Sequence, residues 1–250
     1  MRRPFIAANW KMNKTIPEAM DFLHRFLPAV SDIRDADIVI APPFTALFGL
    51  AEKLVGTNVS LSAQNVYYEE KGAFTGEISP GMLEDVGCDY VLVGHSERRQ
   101  YFHESDETAN RKITISQKHG LSVIFCIGES LSQREAGKTF EVLTQQIRNG
   151  LRDVDAQKLV VAYEPVWAIG TGKTATPDQA QEAHQFIRSR LREIYHDYAD
   201  SLRIIYGGSV TTENIDSLMA CPDLDGALVG GASLNPDSFQ RIVQFRRGSL

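Results

Sequence analysis

Leu159-Val160-Val161-Ala162-Tyr163-Glu164 is a short apolar run that ends in a carboxylate. Seven similar runs occur elsewhere in the chain, at Phe5–Ala8, Asp37–Ala41, Val59–Ala63, Tyr90–Val93, Ser122–Ile127, Arg203–Tyr206 and Gly226–Val229. Most of the eight are continuous rather than alternating in polarity, which is typical of parallel strands buried on both faces. The pattern therefore predicts eight buried parallel strands.

Amphipathic stretches separate these runs. In Thr176–Tyr195 the apolar residues fall on one helical face, and Lys138–Leu151 has similar spacing. The apolar residues of the first stretch are Ala180, Ala183, Phe186, Ile187, Leu191 and Ile194. Thr176 followed by Pro177 and Asp178 predicts the start of a helix there. Strands that alternate with helices predict repeated βαβ units.

The arrangement favours a closed barrel over a doubly wound sheet. A doubly wound dinucleotide-binding fold usually has G-x-G-x-x-G after its first strand, whereas Asn9-Trp10-Lys11 occupies that place here. The length of 250 residues is typical of one α/β barrel, and no linker-like segment divides the chain. We therefore predict the α/β class and a single domain over residues 1–250. The expected architecture is a (β/α)8 TIM barrel with a closed parallel eight-stranded sheet.

Polar residues and glycines cluster directly after the predicted strands. They are Asn9, Lys11, Gln64, Asn65, His95, Glu97, Cys126, Glu129, Glu164, Gly207, Gly208, Ser209, Gly230 and Gly231. In a barrel the carboxyl ends of all the strands share one face, so residues that are remote in sequence meet there. We therefore expect a catalytic site at this face.

Composition excludes several classes of protein. The formal net charge of −6 gives no general attraction for nucleic acid or an anionic membrane surface. The three cysteines (Cys88, Cys126 and Cys221) form no C-x-x-C pair, which argues against a disulfide framework and fits a reducing compartment. No stretch approaches the length of a transmembrane helix. The expected location is the cytoplasm, with neither nucleic acid nor membrane as a partner.

Glu164 is the candidate general base because an apolar loop comes directly after it. This loop has a glycine-rich end and consists of Pro165, Val166, Trp167, Ala168, Ile169, Gly170, Thr171, Gly172, Lys173 and Thr174. Such a loop between rigid ends predicts a lid that closes over a ligand and excludes water. Gly172-Lys173-Thr174 is not a nucleotide P-loop, since the glycine expected five residues earlier is Trp167.

Two glycine turns predict an anion site. Tyr206-Gly207-Gly208-Ser209-Val210 comes after the seventh strand, and Leu228-Val229-Gly230-Gly231-Ala232-Ser233 comes after the eighth. Backbone N–H groups in this part of a barrel are suited to bind phosphate. Lys11 is the candidate cation at the same mouth, and His95 is a candidate acid or electrophile there. The remaining histidines, which are His24, His103, His119, His184 and His196, are expected at the surface.

Three rival functions remain open at this point: a glycoside hydrolase, a non-catalytic phosphate-binding barrel, and a structural role at a surface as a secondary use of an enzyme. A metalloenzyme is disfavoured because no cluster of histidine, cysteine and carboxylate residues has ligand spacing. A glycoside hydrolase could use Glu97 and Glu164 as paired carboxylates. A non-catalytic phosphate-binding barrel would keep the glycine turns but would not need a base.

Seven segments resemble the triosephosphate isomerase family, and together they extend over the whole chain. They are residues 9–13, 62–65, 72–79, 94–99, 162–173, 206–210 and 228–233. The resemblance implies interconversion of dihydroxyacetone phosphate and glyceraldehyde 3-phosphate, with no cofactor and no metal. Ala8 and Lys14 depart from the family's usual pattern, and we expect Lys14 to face solvent.

The resemblance also implies individual roles. It makes Glu164 the base, His95 the electrophile, Lys11 the cation and Asn9 an oxyanion neighbour, with Glu97 behind the site. Phosphate would be held by Asn9, Lys11, Gly170, Ser209, Gly230 and Gly231. Segment 72–79 resembles the long loop through which family members form homodimers, with Thr75 reaching the site of the partner subunit.

Overall fold

The computed structural model describes residues 2–169 and 174–246, and its centre is a closed barrel of eight strands in chain order. Every strand pairs in parallel with its neighbours, and β1 closes the sheet against β8 in the register Phe5↔Gly226 to Ala8↔Val229. The strands are β1 (Phe5–Asn9), β2 (Asp37–Ala41), β3 (Val59–Ala63), β4 (Tyr90–Val93), β5 (Ser122–Ile127), β6 (Leu159–Tyr163), β7 (Arg203–Tyr206) and β8 (Gly226–Val229). The predicted fold class is confirmed; β1 extends one residue further than predicted.

Helices connect the strands and cover the outside of the barrel. They are α1 (Ile16–Val30), α2 (Phe44–Leu54), α3 (Pro80–Val86), α4 (Ser96–Phe102), α5 (Asp106–Lys118), α6 (Leu131–Glu135), α7 (Thr139–Gly150), α8 (Pro177–Tyr195), α9 (Ile215–Met219) and α10 (Pro236–Val243). Thr176 begins α8 as predicted, because its hydroxyl accepts the N–H of Gln179 while the Gln179 side chain accepts the N–H of Thr176. The predicted apolar face holds over most of α8, but Ile194 near its end is 38 % exposed.

Two apolar layers explain where the polar residues point. The inner cluster fills the barrel with alternate strand residues, including Phe5 and Ala7 of β1 and Val160 and Ala162 of β6. The outer cluster lies between the strands and the helices. Because side chains alternate along a strand, Asn9 comes two residues after Ala7 and takes the inward direction. Glu164, two residues after Ala162, is directed into the barrel mouth in the same way.

One sequence expectation about a side chain is wrong, and another is incomplete. His184 is fully buried rather than at the surface, because it lies on the inner face of α8 with its ring edge against Tyr163. Lys14 does not simply face solvent: its ammonium lies over the rings of Trp10 and Phe22. No helix within residues 2–169 and 174–246 is long and apolar enough to cross a bilayer.

Candidate active site

A cavity of about 300 Å³ opens at the carboxyl ends of the strands. Most of the predicted site residues line it, namely Asn9, Lys11, His95, Glu164, Ile169, Gly207, Gly208, Ser209, Gly230 and Gly231. Glu97 is not part of this lining and instead contacts Lys11 from the side. The structure thus brings together residues from strands β1, β4, β6, β7 and β8 at one mouth.

Glu164 comes directly after β6 and is only 2 % exposed. Its Oε1 atom lies 2.9 Å from Nε2 of His95, and its Oε2 atom accepts the backbone N–H of Ser96 at 2.9 Å. Burial raises the pKa of this carboxyl. The neighbouring His95 and the N–H of Ser96 lower the pKa by more than burial raises it, so the pKa lies below its usual value. Glu164 is therefore a buried carboxylate at neutral pH.

His95 comes after a sharp turn at Gly94, whose φ is +75°. A side chain at position 94 would meet the carbonyl oxygen of Cys126 at 3.0 Å, so the turn requires glycine. The Nδ1 atom of His95 accepts the backbone N–H of Glu97 at 3.2 Å. An accepting ring nitrogen carries no proton, which places the ring proton on Nε2, facing Glu164.

The charge on His95 depends on its contacts with Glu164 and with the Glu97 N–H. Burial lowers the pKa of the His95 ring, but the adjacent Glu164 carboxylate raises it above its ordinary value. The Glu97 N–H at Nδ1 opposes protonation there, because imidazolium would need that nitrogen as a donor. The neutral ring with a donating Nε2–H is the form that satisfies both contacts.

Lys11 lies in the left-handed region with a φ of +53°, an uncommon conformation for lysine. The side-chain oxygen of Asn9 accepts its N–H at 3.0 Å, and the Gln64 amide donates to its carbonyl oxygen at 2.9 Å. Its ammonium is 2.6 Å from Glu97 Oε1. Both side chains of this pair remain partly exposed, so the pair contributes little to stability and mainly directs the cation to the mouth.

Part of the cavity lining is glycine, where no side chain covers the backbone. A side chain at Gly231 would meet nothing within 4 Å, and one at Gly230 would first meet the Lys11 side chain at 3.5 Å. The turn after β8 is held by Ser233, whose N–H and hydroxyl donate to the Gly230 carbonyl at 2.8 and 2.7 Å. This part of the lining, the anion wall of Gly230 and Gly231, offers room and N–H groups next to a lysine, which is the chemistry that an anion requires.

Comparison with known proteins agrees with this geometry. Residues 4–246 match the family model described as triosephosphate isomerase. The chain belongs to the triosephosphate isomerase family. It is an isomerase, and a role in glycolysis follows from that enzyme's name.

Individual relatives are similar over the full chain. Triosephosphate isomerase of Geobacter metallireducens is 57% identical, with 98% of this chain and 100% of the relative covered. That of Syntrophotalea carbinolica is 56% identical, with 98% and 99% covered. The crystal structure of triosephosphate isomerase from Bartonella henselae superposes with a TM-score of 0.90 at 36% identity, covering 97% of this chain and 98% of that one.

The amino-terminal half of the predicted lid is attached to Glu129. The Trp167 indole donates to Glu129 Oε1 at 2.9 Å, the Tyr163 hydroxyl donates to the same carboxylate at 3.1 Å, and the Val166 N–H donates to the Glu129 carbonyl. Arg134 lies over the Trp167 ring at 4.4 Å. Of the predicted lid, Pro165 to Ile169 and Thr174 are described. Gly170, Thr171, Gly172 and Lys173 lie outside the described residues, as does the expected phosphate contact of Gly170.

Sequence reasoning missed a buried ionic network behind His95. Glu104 accepts the Gly94 N–H at 2.8 Å, and Lys112 donates to Glu104 at 2.5 Å and to Asn65 at 2.7 Å. A signal was available: Lys112 falls in the buried stripe of α5 with Ala109, Ile113 and Ser116. A charged residue in an apolar helical stripe needs a buried partner. Among the described residues, no group of three or more His, Cys, Asp or Glu could hold a metal ion.

Proposed function

We propose that this chain interconverts dihydroxyacetone phosphate and D-glyceraldehyde 3-phosphate by moving a proton with Glu164 through an enediolate intermediate. The observation that carries the proposal is a buried carboxylate paired with a donating histidine in a cavity that is also lined by the anion wall. Binding alone would not need a buried base. That distinguishes the proposal from a non-catalytic phosphate-binding barrel.

The chemistry begins with a proton on a carbon next to a carbonyl group. Glu164 removes it as a carboxylate, which its lowered pKa keeps available at neutral pH. The substrate must enter between Glu164 and His95, so their 2.9 Å contact opens on binding. Glu164 then returns the proton to the neighbouring carbon, while the hydroxyl proton is lost from one substrate oxygen and a proton is gained by the other, on the side that His95 Nε2 faces.

The enediolate needs donors that are already in place when its charge develops. His95 Nε2–H is one, because Nδ1 is occupied by the N–H of Glu97. Asn9 is a second: its oxygen accepts from the Lys11 backbone, which leaves its NH2 group as a donor. The Lys11 ammonium supplies the cation, and Glu97 holds that ammonium from behind.

The phosphate group is bound by backbone dipoles rather than by a basic surface. Ser209, Gly230 and Gly231 line the same cavity as Glu164 and Lys11, and we include Gly170 as a further donor. An overall charge of −6 is compatible with this site, since local N–H groups act at short range. Lid closure then excludes water and protects the enediolate from losing phosphate.

A coupled assay of glyceraldehyde 3-phosphate conversion tests the proposal. We expect Glu164→Gln to lower turnover by at least ~10²-fold, the low end for loss of a general base. Glu135→Gln, at an exposed carboxylate on the helix after β5, is the matched control and should leave turnover unchanged. Near-full turnover in Glu164→Gln would refute the base. A folded natural chain with no turnover would favour the non-catalytic barrel, and failure of inorganic phosphate to compete would favour the glycoside hydrolase.

We propose that residues 1–250 form one domain located in the cytoplasm. The closed sheet uses strands from Phe5 to Val229, so no strand can be removed without opening the barrel. The three cysteines are free thiols, which fits a reducing compartment. A single cooperative unfolding transition seen by two probes would support the one-domain proposal, and fractionation of the source cells would test the location.

We propose a homodimer formed through segment 72–79, with Thr75 reaching the partner. This segment is largely exposed, and exposed apolar side chains occur elsewhere on the subunit at Met12, Tyr101 and Phe102. Exposed apolar surface of this kind is typical of a protein interface where it is contiguous. We expect Thr75→Arg to give monomers by sedimentation velocity, whereas Val55→Arg, at an exposed position after α2, should not. A monomeric natural chain would refute the dimer.

A further inference from the structure

Lys14 has two unusual features. Its φ of +73° lies in the left-handed region, although lysine gains nothing from that conformation. Its ammonium lies 5.3 Å from the centre of the Trp10 ring and 5.0 Å from that of Phe22, which are themselves in edge-to-face contact at 4.9 Å. A strained backbone that persists is held by its surroundings and is often found at a functional site.

Trp10 links this lysine to the anion wall. The indole is fully buried, and its N–H donates to the Ser233 carbonyl at 3.2 Å. Ser233 in turn holds the Gly230 carbonyl through both its N–H and its hydroxyl. The Trp10 indole is therefore linked by hydrogen bonds, through Ser233, to the turn that presents Gly230 and Gly231 to the cavity.

The ammonium is placed to fix that ring rather than to form an ion pair. Burial lowers the pKa of Lys14, and the charges of Glu18 and Asp21 oppose that effect. Among the described residues, no carboxylate forms a salt bridge with Lys14, and its ammonium instead lies against the two aromatic rings. A cation over an indole face is attracted by the ring quadrupole, most strongly where water is partly excluded.

We propose that Lys14 is a positioning residue for the phosphate end of the site, acting through Trp10 and Ser233. The inference rests on the proposed function, because it takes the turn at residues 230–231 to be the phosphate cradle. It assigns to Lys14 an effect on the binding of phosphate and of substrate, and no effect on the proton transfer at Glu164.

The test uses inorganic phosphate as the probe, with its Kd measured by calorimetry beside KM and kcat for the triose phosphate. Lys14→Met keeps the chain length and the backbone strain but removes the charge. We expect it to raise the phosphate Kd and KM about fivefold, the order of one cation–π contact, and to change kcat by less than about twofold. Lys14→Arg should restore the Kd, and Lys53→Met, at an exposed lysine of α2, is the control.

Two further variants separate positioning from a purely structural role. Lys14→Gly relieves the left-handed strain, so thermal stability should hold or rise while the phosphate Kd rises as in Lys14→Met. Trp10→Phe removes the N–H to Ser233, and its effect on Kd should not add to that of Lys14→Met. Additive effects, or a Kd that changes only in step with stability, would overturn the inference.

The failure of this inference differs from the failure of the proposed function. If inorganic phosphate competes with substrate in the natural chain but Lys14→Met binds it equally well, Lys14 has no positioning role and the proposed function stands. If inorganic phosphate does not compete in the natural chain, the cradle itself is wrong and the inference falls with it.

Discussion

The Nε2 atom of His95 lies 2.9 Å from the Oε1 atom of Glu164, so the proposed electrophile and base contact each other directly. Glu164 raises the pKa of His95, and His95 lowers the pKa of Glu164, so each favours the charged form of the other. Burial acts in the opposite direction on both pKa values. The second oxygen of Glu164 is held by the Ser96 N–H, and Nδ1 of His95 by the Glu97 N–H. Substrate therefore needs to break one contact, between Nε2 and Oε1, to engage both groups.

The pKa of His95 should fall when the carboxylate is removed. In Glu164→Gln the attraction that raises the pKa is lost, while the burial that lowers it remains. We expect the ring to titrate at lower pH in this variant than in the natural chain, as followed by ¹⁵N NMR of the imidazole. Glu135→Gln is the control, and an unchanged His95 titration would show that the contact is not maintained in solution.

Gly207→Ala should impair turnover more than binding. A methyl group at position 207 would lie 2.9 Å from Cγ of Glu164 and 3.3 Å from the carbonyl oxygen of Tyr163. Because Tyr163 is held in β6, the Glu164 side chain is the group that would be displaced. A misplacement of about 1 Å can lower a rate by as much as ~10²-fold, so we expect kcat to fall by at least ~10-fold with a smaller change in KM.

The control for that variant is Gly81→Ala in α3. There a methyl group would meet nothing closer than His119 at 3.8 Å, and alanine favours the helix. A loss of kcat in both variants, or in neither, would contradict the proposed placement of Glu164.

The barrel can be predicted from the sequence because its physical signal is strong. Strands such as Leu159–Tyr163 are buried on both faces and so are continuously apolar, and the next polar residue marks where each strand ends. Parallel strands that close a barrel bring those ends to one face whatever the details of packing. For that reason the order of residues along the chain is enough to place Asn9, His95 and Glu164 at one mouth.

Contacts between side chains cannot be predicted in the same way. The Lys112–Glu104 pair joins residues of which only one has a pattern signal, because Glu104 lies in the short segment between α4 and α5, where no periodicity marks it as buried. The prediction for His184 is wrong because a polar side chain is not always an exposed one, and the prediction for Lys14 missed its contact with two aromatic rings. The His184 ring packs edge-on against Tyr163, with its Nδ1 atom 3.3 Å from the Asp223 carbonyl oxygen, and the Lys14 ammonium lies over the Trp10 ring.

His184 should make the protein sensitive to acid. Burial lowers its pKa to about 3, and its Nδ1 atom lies 3.3 Å from the Asp223 carbonyl oxygen. Between the pKa of an unfolded histidine, about 6.5, and this lowered value, the unfolded chain binds one more proton than the folded chain. Stability is therefore lost as the pH falls through this window, by up to about 1.4 kcal/mol per pH unit.

We expect His184→Asn to reduce the pH dependence of the free energy of unfolding by the amount that corresponds to about one bound proton. Asparagine can keep a donor near the Asp223 carbonyl without titrating. The measurement is the free energy of unfolding by urea at several pH values between about 6.5 and about 4.5, the range in which this histidine acts. His24→Asn, at an exposed histidine of α1, is the matched control and should keep the natural slope. Equal slopes in all three proteins would refute the role of His184.

Shortening the lid should release a side product. The described part of the predicted lid is anchored by Trp167 and Val166 to Glu129, and Ile169 lines the cavity, which supports the proposed role of this loop in covering the enediolate. Deleting residues 168–171 would remove the proposed phosphate contact of Gly170 but leave Glu164, His95, Asn9 and Lys11 in place. It would also admit water, which favours elimination of phosphate. We expect inorganic phosphate release per isomerisation event to rise in the deletion variant. A fall in turnover without extra phosphate would mean that the loop positions the substrate but does not protect the intermediate.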